Sequence, residues 1–145
     1  MSFRNPDDET LRRLFETTTT IAVVGLSPKP NRPSHGVARA LQRFGYQIIP
    51  VRPAIKEVLG EPAFATLEDV PDSIDLVDVF RAPEHVDAIV DSCIALGISA
   101  IWLQEGVINE VAAARALAAG LTVVMDRCTY KDYVRLFAGG SHNAD

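Results

Sequence analysis

Two kinds of apolar run alternate along this chain. Short blocks dominated by β-branched residues, such as Ile21-Ala22-Val23-Val24, read as strands buried on both faces. Longer stretches with apolar residues three and four apart read as helices covering one side of a sheet. The spacing of Leu11, Leu14 and Phe15 predicts a first helix capped by Asp7 or Asp8. A strand over 21–24 ends at Gly25, and three prolines keep residues 26–33 from being helical. Ser34 then caps a helix carrying Val37, Ala38, Leu41 and Phe44, stopped by Gly45. A second strand covers 47–51. Residues 52–73 are irregular, with one short capped turn over 66–70. The third strand is 76–80, and Pro83 suits the first turn of a helix with Val86, Ile89, Val90, Cys93 and Ile94 on one face, ending at Gly97. A strand over 100–103, a helix from Asn109 to Gly120 and a strand over 121–125 follow. Thr129, with Asp132 three residues on, opens a last helix bearing Tyr130, Tyr133, Val134 and Phe137.

Strands alternating with helices predict an α/β fold: a doubly wound, parallel, five-stranded Rossmann-like sheet in three layers, α/β/α. The expected strand order is 3-2-1-4-5, counting strands along the chain. One domain is expected over 1–137, followed by a small, polar, flexible tail over 138–145 in which His142 is solvated.

Charge narrows the partners. The net charge is -5, which argues against nucleic acid as the main partner while leaving room for one small anion in a local basic pocket. Cys93 and Cys128 show neither CxxC spacing nor a metal pattern with His35, His85 and His142. The first residues lack the apolar stretch of a signal peptide, and no apolar run approaches the ~20 residues of a membrane helix. The expected compartment is the cytoplasm, without a membrane partner.

In a doubly wound sheet, ligands bind beyond the carboxyl ends of the strands, so the residues just after each strand carry the information. After the first strand, Gly25 permits a sharp turn. Amides near Ser27 and at the helix start near Ser34 suit a phosphate, with Lys29 and Arg32 adding charge. The motif is not GxGxxG, and a proline-stiffened surface loop with solvated cations is the plain alternative. Where NAD enzymes place an acid after the second strand, this chain has Arg52, which favours a phosphorylated ribose, as in coenzyme A or NADP, unless it is only a surface arginine. Arg81, Pro83 and the turn Gln104-Glu105-Gly106 can flank an extended arm, though Glu105 can equally serve the following helix by its charge. Trp102 reads as core. Asp78 is a carboxylate inside an apolar strand, read as structural and in need of a partner. Cys128 precedes a helix N-terminus, where a thiol pKa can fall, but an inert packed cysteine is the simpler reading.

These residues resemble the small single-domain proteins of the coenzyme A-binding family, and the N-terminal domain of the succinyl-CoA synthetase alpha subunit is similar in fold and ligand. The resemblance spans about residues 10–137. It is carried by 21–27, 31–35, 49–53, 75–81, 102–106 and 125–128 in order. It implies coenzyme A over the first-strand glycine, with its adenosine diphosphate portion near the first two strands. Carried over by position, Gly25, Ser27, Arg32, His35, Arg81 and Gly106 are the best candidates, and Leu26, Ser34 and Phe80 fall within the same segments. Relatives often have asparagine before proline where this chain has Arg52, sometimes with a cation just beyond, where this chain has Ala54. No second domain bearing the synthetase's phosphorylated histidine is present in this sequence.

Two functional readings follow. One is a module that binds coenzyme A or an acyl-CoA as a carrier, sensor or regulator. The other is a nucleotide-dependent enzyme or subunit, either an NAD(P) oxidoreductase or a component of an acyl-CoA ligase. A third, an interaction protein with an empty pocket, is weaker. Motif order and Arg52 favour the binding module, the lack of GxGxxG counts against a self-contained oxidoreductase, and the lack of a serine elbow or assembled triad counts against hydrolysis.

Overall fold

The structure is a computed structural model describing residues 3–138, 140 and 142. Five parallel strands form the main sheet: β1 (Thr20–Val24), β2 (Gln47–Val51), β5 (Leu76–Val79), β6 (Ala100–Leu103) and β7 (Thr122–Val124). Between β2 and β5 lies a two-stranded hairpin, β3 (Glu57–Val58) and β4 (Glu61–Pro62), which the periodicity does not reveal. The helices are α1 (Asp8–Thr17), α2 (Pro33–Arg43), α3 (Val86–Leu96), α4 (Glu110–Ala118) and α5 (Thr129–Leu136).

The strands bury alternate residues on opposite faces, as a period of two requires. Ile21, Val23, Ile48, Leu76 and Trp102 face α1, α2 and α5, packing with Phe15, Leu41 and Tyr133. Ala22, Val24, Ile49, Val77 and Ile101 face α3 and α4, packing with Val90, Cys93 and Ala112. The expected three layers are present.

The strand order corrects the expectation. The sheet runs β2-β1-β5-β6-β7, so the third main strand lies beside the first and not beyond the second. Pro50 supplies a physical reason. It has no N–H to give to a ladder, so it suits an edge strand, and the expected order would have placed β2 inside the sheet. On that edge Phe64 makes an isolated bridge, its N–H donating to Pro50 O at 3.0 Å and its O accepting from Arg52 N–H at 2.8 Å. In contrast, all four residues of β5 are buried. The connection after β1 runs on the α2 face and the one after β5 on the α3 face. The switch point of the fold therefore falls between the tips of these two adjacent strands.

At the helix starts the expected caps of α1 and α4 are found, and other local expectations change. Asp7, not Asp8, caps α1, accepting from Thr10 N–H at 2.9 Å. Asn109 caps α4 through Ala112 N–H. The N-cap of α2 is Arg32, with Pro33 behind it, and Ser34 lies within the first turn. Pro83 opens a 3-10 turn (Pro83–His85) before α3, and Ile94 faces solvent. Cys128 occupies the N-cap of α5, so Thr129 and Asp132 form no capping box. Instead, Asp132 is gripped by Arg127 through two contacts of 2.6 Å. His142 is half-buried, stacked on Tyr46 at 4.3 Å, where the sequence suggested a solvated residue. The rest of the 138–145 tail, apart from 138 and 140, lies outside the described residues.

Candidate functional site

The β1 tip is built around Gly25. Its φ is +89°, a conformation that favours glycine, and a Cβ there would sit 2.7 Å from Phe80 O and 3.0 Å from Arg81 Cδ. The bare α-carbon thus lets the end of β5 and the stem of Arg81 close against the first loop. Gly25 N–H donates to Val51 O at 2.9 Å, tying the tip of β2 to the same point.

The following loop is held by its own polar groups. Ser27 N–H donates to Ser34 Oγ at 2.9 Å, and Lys29 N–H to Ser27 Oγ at 3.1 Å. The Ser27 amide is therefore engaged, contrary to the expectation that it meets a phosphate. His35 is buried with Nδ1 3.0 Å from Ser27 O. Because a carbonyl only accepts, Nδ1 carries the proton, and the ring braces the loop from below. Among the described residues, the Ser34 N–H in the first turn of α2 has no protein partner. Arg32 at the N-cap is the wrong charge for the positive end of a helix, and α2 has no acid in its first turn. That arrangement stabilises a bound anion better than it stabilises the empty helix.

A cavity of about 740 Å³ opens over these strand ends. Its first-loop side is made by Gly25, Ser27, Lys29, Arg32 and Ser34. Arg52, Phe80 and Arg81 close the end toward β2 and β5, and Gln104 and Glu105 stand on the β6 side. These ten of the residues singled out in the sequence converge on one cavity. Four others do not reach its wall. Leu26 is fully buried in the core, and His35 lies beneath the loop. Pro83 begins the 3-10 turn. Gly106, at φ +84°, turns away and donates its N–H to Asp126 Oδ1 at 2.8 Å.

Pro28 and Pro33 of the first loop and Cys128, after the last strand tip, complete the lining together with Val37, Val107, Tyr130 and Lys131, and these last four the sequence did not single out as wall residues. The α5 residues arrive from far along the chain, and only their position after a strand tip hinted at it. Lys131 Nζ pairs with Glu105 at 3.1 and 3.2 Å, which answers the open question about Glu105: it crosses the cavity mouth to α5. The wall carries five cationic side chains and one carboxylate on a protein of net charge -5. Such a local field attracts anions.

Beneath the β6 side lies a closed polar group. Gln104 Nε2 donates to Asp78 Oδ1 at 2.5 Å and to Thr129 Oγ1 at 3.0 Å, and the Thr129 hydroxyl donates to Asp78 Oδ2 at 3.1 Å. Burial lifts the Asp78 carboxyl to about 7, against the pull of those two hydrogen bonds. The Gln104 amide is thus spent on the core, joining β5, β6 and α5. At Cys128, burial pushes the thiol above its usual value, outweighing the Lys131 and Tyr130 amides that favour a thiolate. The helix N-terminus there does not make a reactive cysteine. Cys93 is also buried, and burial raises its thiol to about 12. Among the described residues, no cluster of His, Cys, Asp and Glu could hold a metal ion. No helix of the described residues is long and apolar enough to cross a membrane.

The model of the CoA binding domain family matches residues 19–133, which span the sheet and every wall of the cavity. The chain belongs to the CoA-binding domain family. It is 38% identical over 125 residues to uncharacterized protein YneT of Bacillus subtilis, covering 86% of this chain and 93% of that one. A hypothetical protein from Pyrococcus horikoshii OT3 superposes with a TM-score of 0.88 at 34% identity, covering 94% of this chain and 98% of that one. An acetate–CoA ligase (ADP-forming) I of Archaeoglobus fulgidus is 26% identical over 83 residues, covering 57% of this chain. The matched region makes up only 12% of that ligase.

Proposed function

We propose that this chain binds coenzyme A or an acyl-CoA at the strand-tip cavity and acts as a carrier, sensor or regulatory module in the cytoplasm. The observation that carries the reading is the convergence of Gly25, Lys29, Arg32, Arg52 and Arg81 on one cavity at the switch point. A pyrophosphate lies against the Gly25 turn and the N-terminus of α2, where the Ser34 amide, Lys29 and Arg32 receive it. Arg52, at the β2 tip where a ribose-binding acid would stand in an NAD protein, meets the ribose phosphate. The pantetheine arm follows Phe80 and Gln104 toward Val107, Cys128 and Tyr130. Two free, buried thiols suit a reducing compartment.

Titration calorimetry of ligand-stripped protein tests this against coenzyme A, acetyl-CoA, NAD and NADP. Coenzyme A binds, Arg32→Ala weakens it by roughly tenfold through loss of one charge-assisted contact, and NAD binds far more weakly. Equal or tighter binding of NAD would turn the reading to an oxidoreductase, and silence with every nucleotide would remove the ligand altogether.

A further inference from the structure

A second groove leaves the cavity between α2 and α5. The two share Pro33, Val37 and Tyr130, so the groove is an extension of the cavity wall. Its volume is about 390 Å³. The floor is small and apolar: Gly36 has nothing within 4 Å of where a Cβ would stand, and Ala40 lies one turn on. The Tyr130 ring forms the side, stacked parallel on Phe44 with centroids 6.0 Å apart. Arg39 and Arg43 stand at the outer end, both exposed.

Elsewhere Arg13, Arg115, Arg127 and Arg135 are each paired with carboxylates. Among the described residues, Arg39 and Arg43 have no such partner within 4.0 Å. Arg4, Arg12, Arg32, Arg52 and Arg81 also lack a carboxylate within 4.0 Å, but Arg39 and Arg43 stand together on one helix beside an apolar groove. They are four apart on one helix, a like-charge spacing that disfavours the helix. The sequence around them repeats the pattern, because residues 17–56 contain six of the 14 cationic residues and none of the 19 acidic ones. The Arg43 guanidinium suits the helix C-terminus, but nothing in the fold calls for Arg39. An apolar trough ending in two planar, unpaired donors fits an alkyl chain that ends in a carboxylate.

We infer that the acyl group this site prefers is a dicarboxylic monothioester, its methylenes along Gly36 and Ala40 and its free carboxylate between Arg39 and Arg43. The inference rests on the coenzyme A reading, since the thioester end lies in the main cavity beside Val37 and Tyr130. The nucleotide stays with the Gly25 loop, so the groove distinguishes acyl groups and leaves the affinity for coenzyme A itself alone.

The test compares glutaryl-CoA with hexanoyl-CoA, similar in length and differing in the terminal carboxylate, alongside coenzyme A by titration calorimetry. Wild type binds glutaryl-CoA about fivefold tighter than hexanoyl-CoA, the size expected of two exposed charge contacts. The preference shrinks as salt is raised. In the Arg39→Gln/Arg43→Gln double variant, whose exposed positions leave the core intact, the preference disappears while coenzyme A binds as before. Tight binding of coenzyme A with no preference for glutaryl-CoA overturns this inference and leaves the cofactor reading standing. A double variant that loses coenzyme A itself also overturns it, because the arginines would then hold the nucleotide. Failure of all three ligands to bind overturns both.

Discussion

Replacing Gly25 with alanine imposes two costs at one atom. The residue sits at φ +89°, where a side chain costs about 1–2 kcal/mol, and the new Cβ would lie 2.7 Å from Phe80 O. That neighbour is backbone of the β5 tip, which hydrogen-bonds back to β1 through Phe80 N–H and Val24 O at 2.9 Å, so it yields little. Overpacking of this kind costs about 1–3 kcal/mol. Together the destabilisation is about 2–5 kcal/mol, a fall in Tm of roughly 7–16 °C for a chain of this size. Gly36→Ala is the internal control. Gly36 lies in α2 with open space around it, so a methyl there stabilises the helix by about 0.5–1 kcal/mol. Urea denaturation and scanning calorimetry of both variants read the effect. A Gly25→Ala protein within about 1 kcal/mol of wild type would refute the claim that the bare α-carbon is what allows β1, β5 and Arg81 to meet.

Asp78 makes stability depend on pH. Its folded value, about 7, lies above the ordinary carboxylate range, so the folded state holds the proton more tightly than the unfolded state. The contribution is fully present below pH ~4 and is lost as pH rises through about 7, by roughly 4 kcal/mol. Asp78→Asn flattens that part of the profile in urea melts between pH 4 and 8, and an unchanged slope would contradict the assignment. Iodoacetamide alkylates neither cysteine of the native protein readily at pH 7, since burial raises both thiols; mass spectrometry showing rapid labelling of Cys128 would reverse that reading. Arg32→Ala keeps or raises Tm, because a cation leaves a helix N-terminus, and a clear drop would mean that the residue is structural.

Much of the fold is legible in the sequence because most main-sheet strands meet a glycine or a charged residue at one end, as at Gly25, Arg52 and Asp75, and each helix carries an apolar face. The strand order was less so. Pro50 was the available signal for an edge strand, but its meaning depends on which neighbours the strand has. The hairpin at Glu57–Val58 and Glu61–Pro62 is too short to show a period. Within the site, positions after strand tips could be read off directly, which is why Gly25, Arg52, Arg81 and Glu105 meet in one cavity. Which side chains are already occupied could not. Ser34 is spent on Ser27, His35 on the loop carbonyl and Gln104 on Asp78, all through tertiary contacts. Tyr130 and Lys131 were missed as wall residues because the return of α5 over the sheet depends on the whole chain.

Amide shift mapping tests the central claim most directly. Coenzyme A added to isotopically labelled protein should perturb Gly25 to Arg32, Arg52, Arg81, Glu105 and Lys131 together, leaving the α3 and α4 amides unmoved, and NAD should give a far smaller response. Perturbations centred on α3 and α4, or none at Gly25 and Arg81, would contradict it.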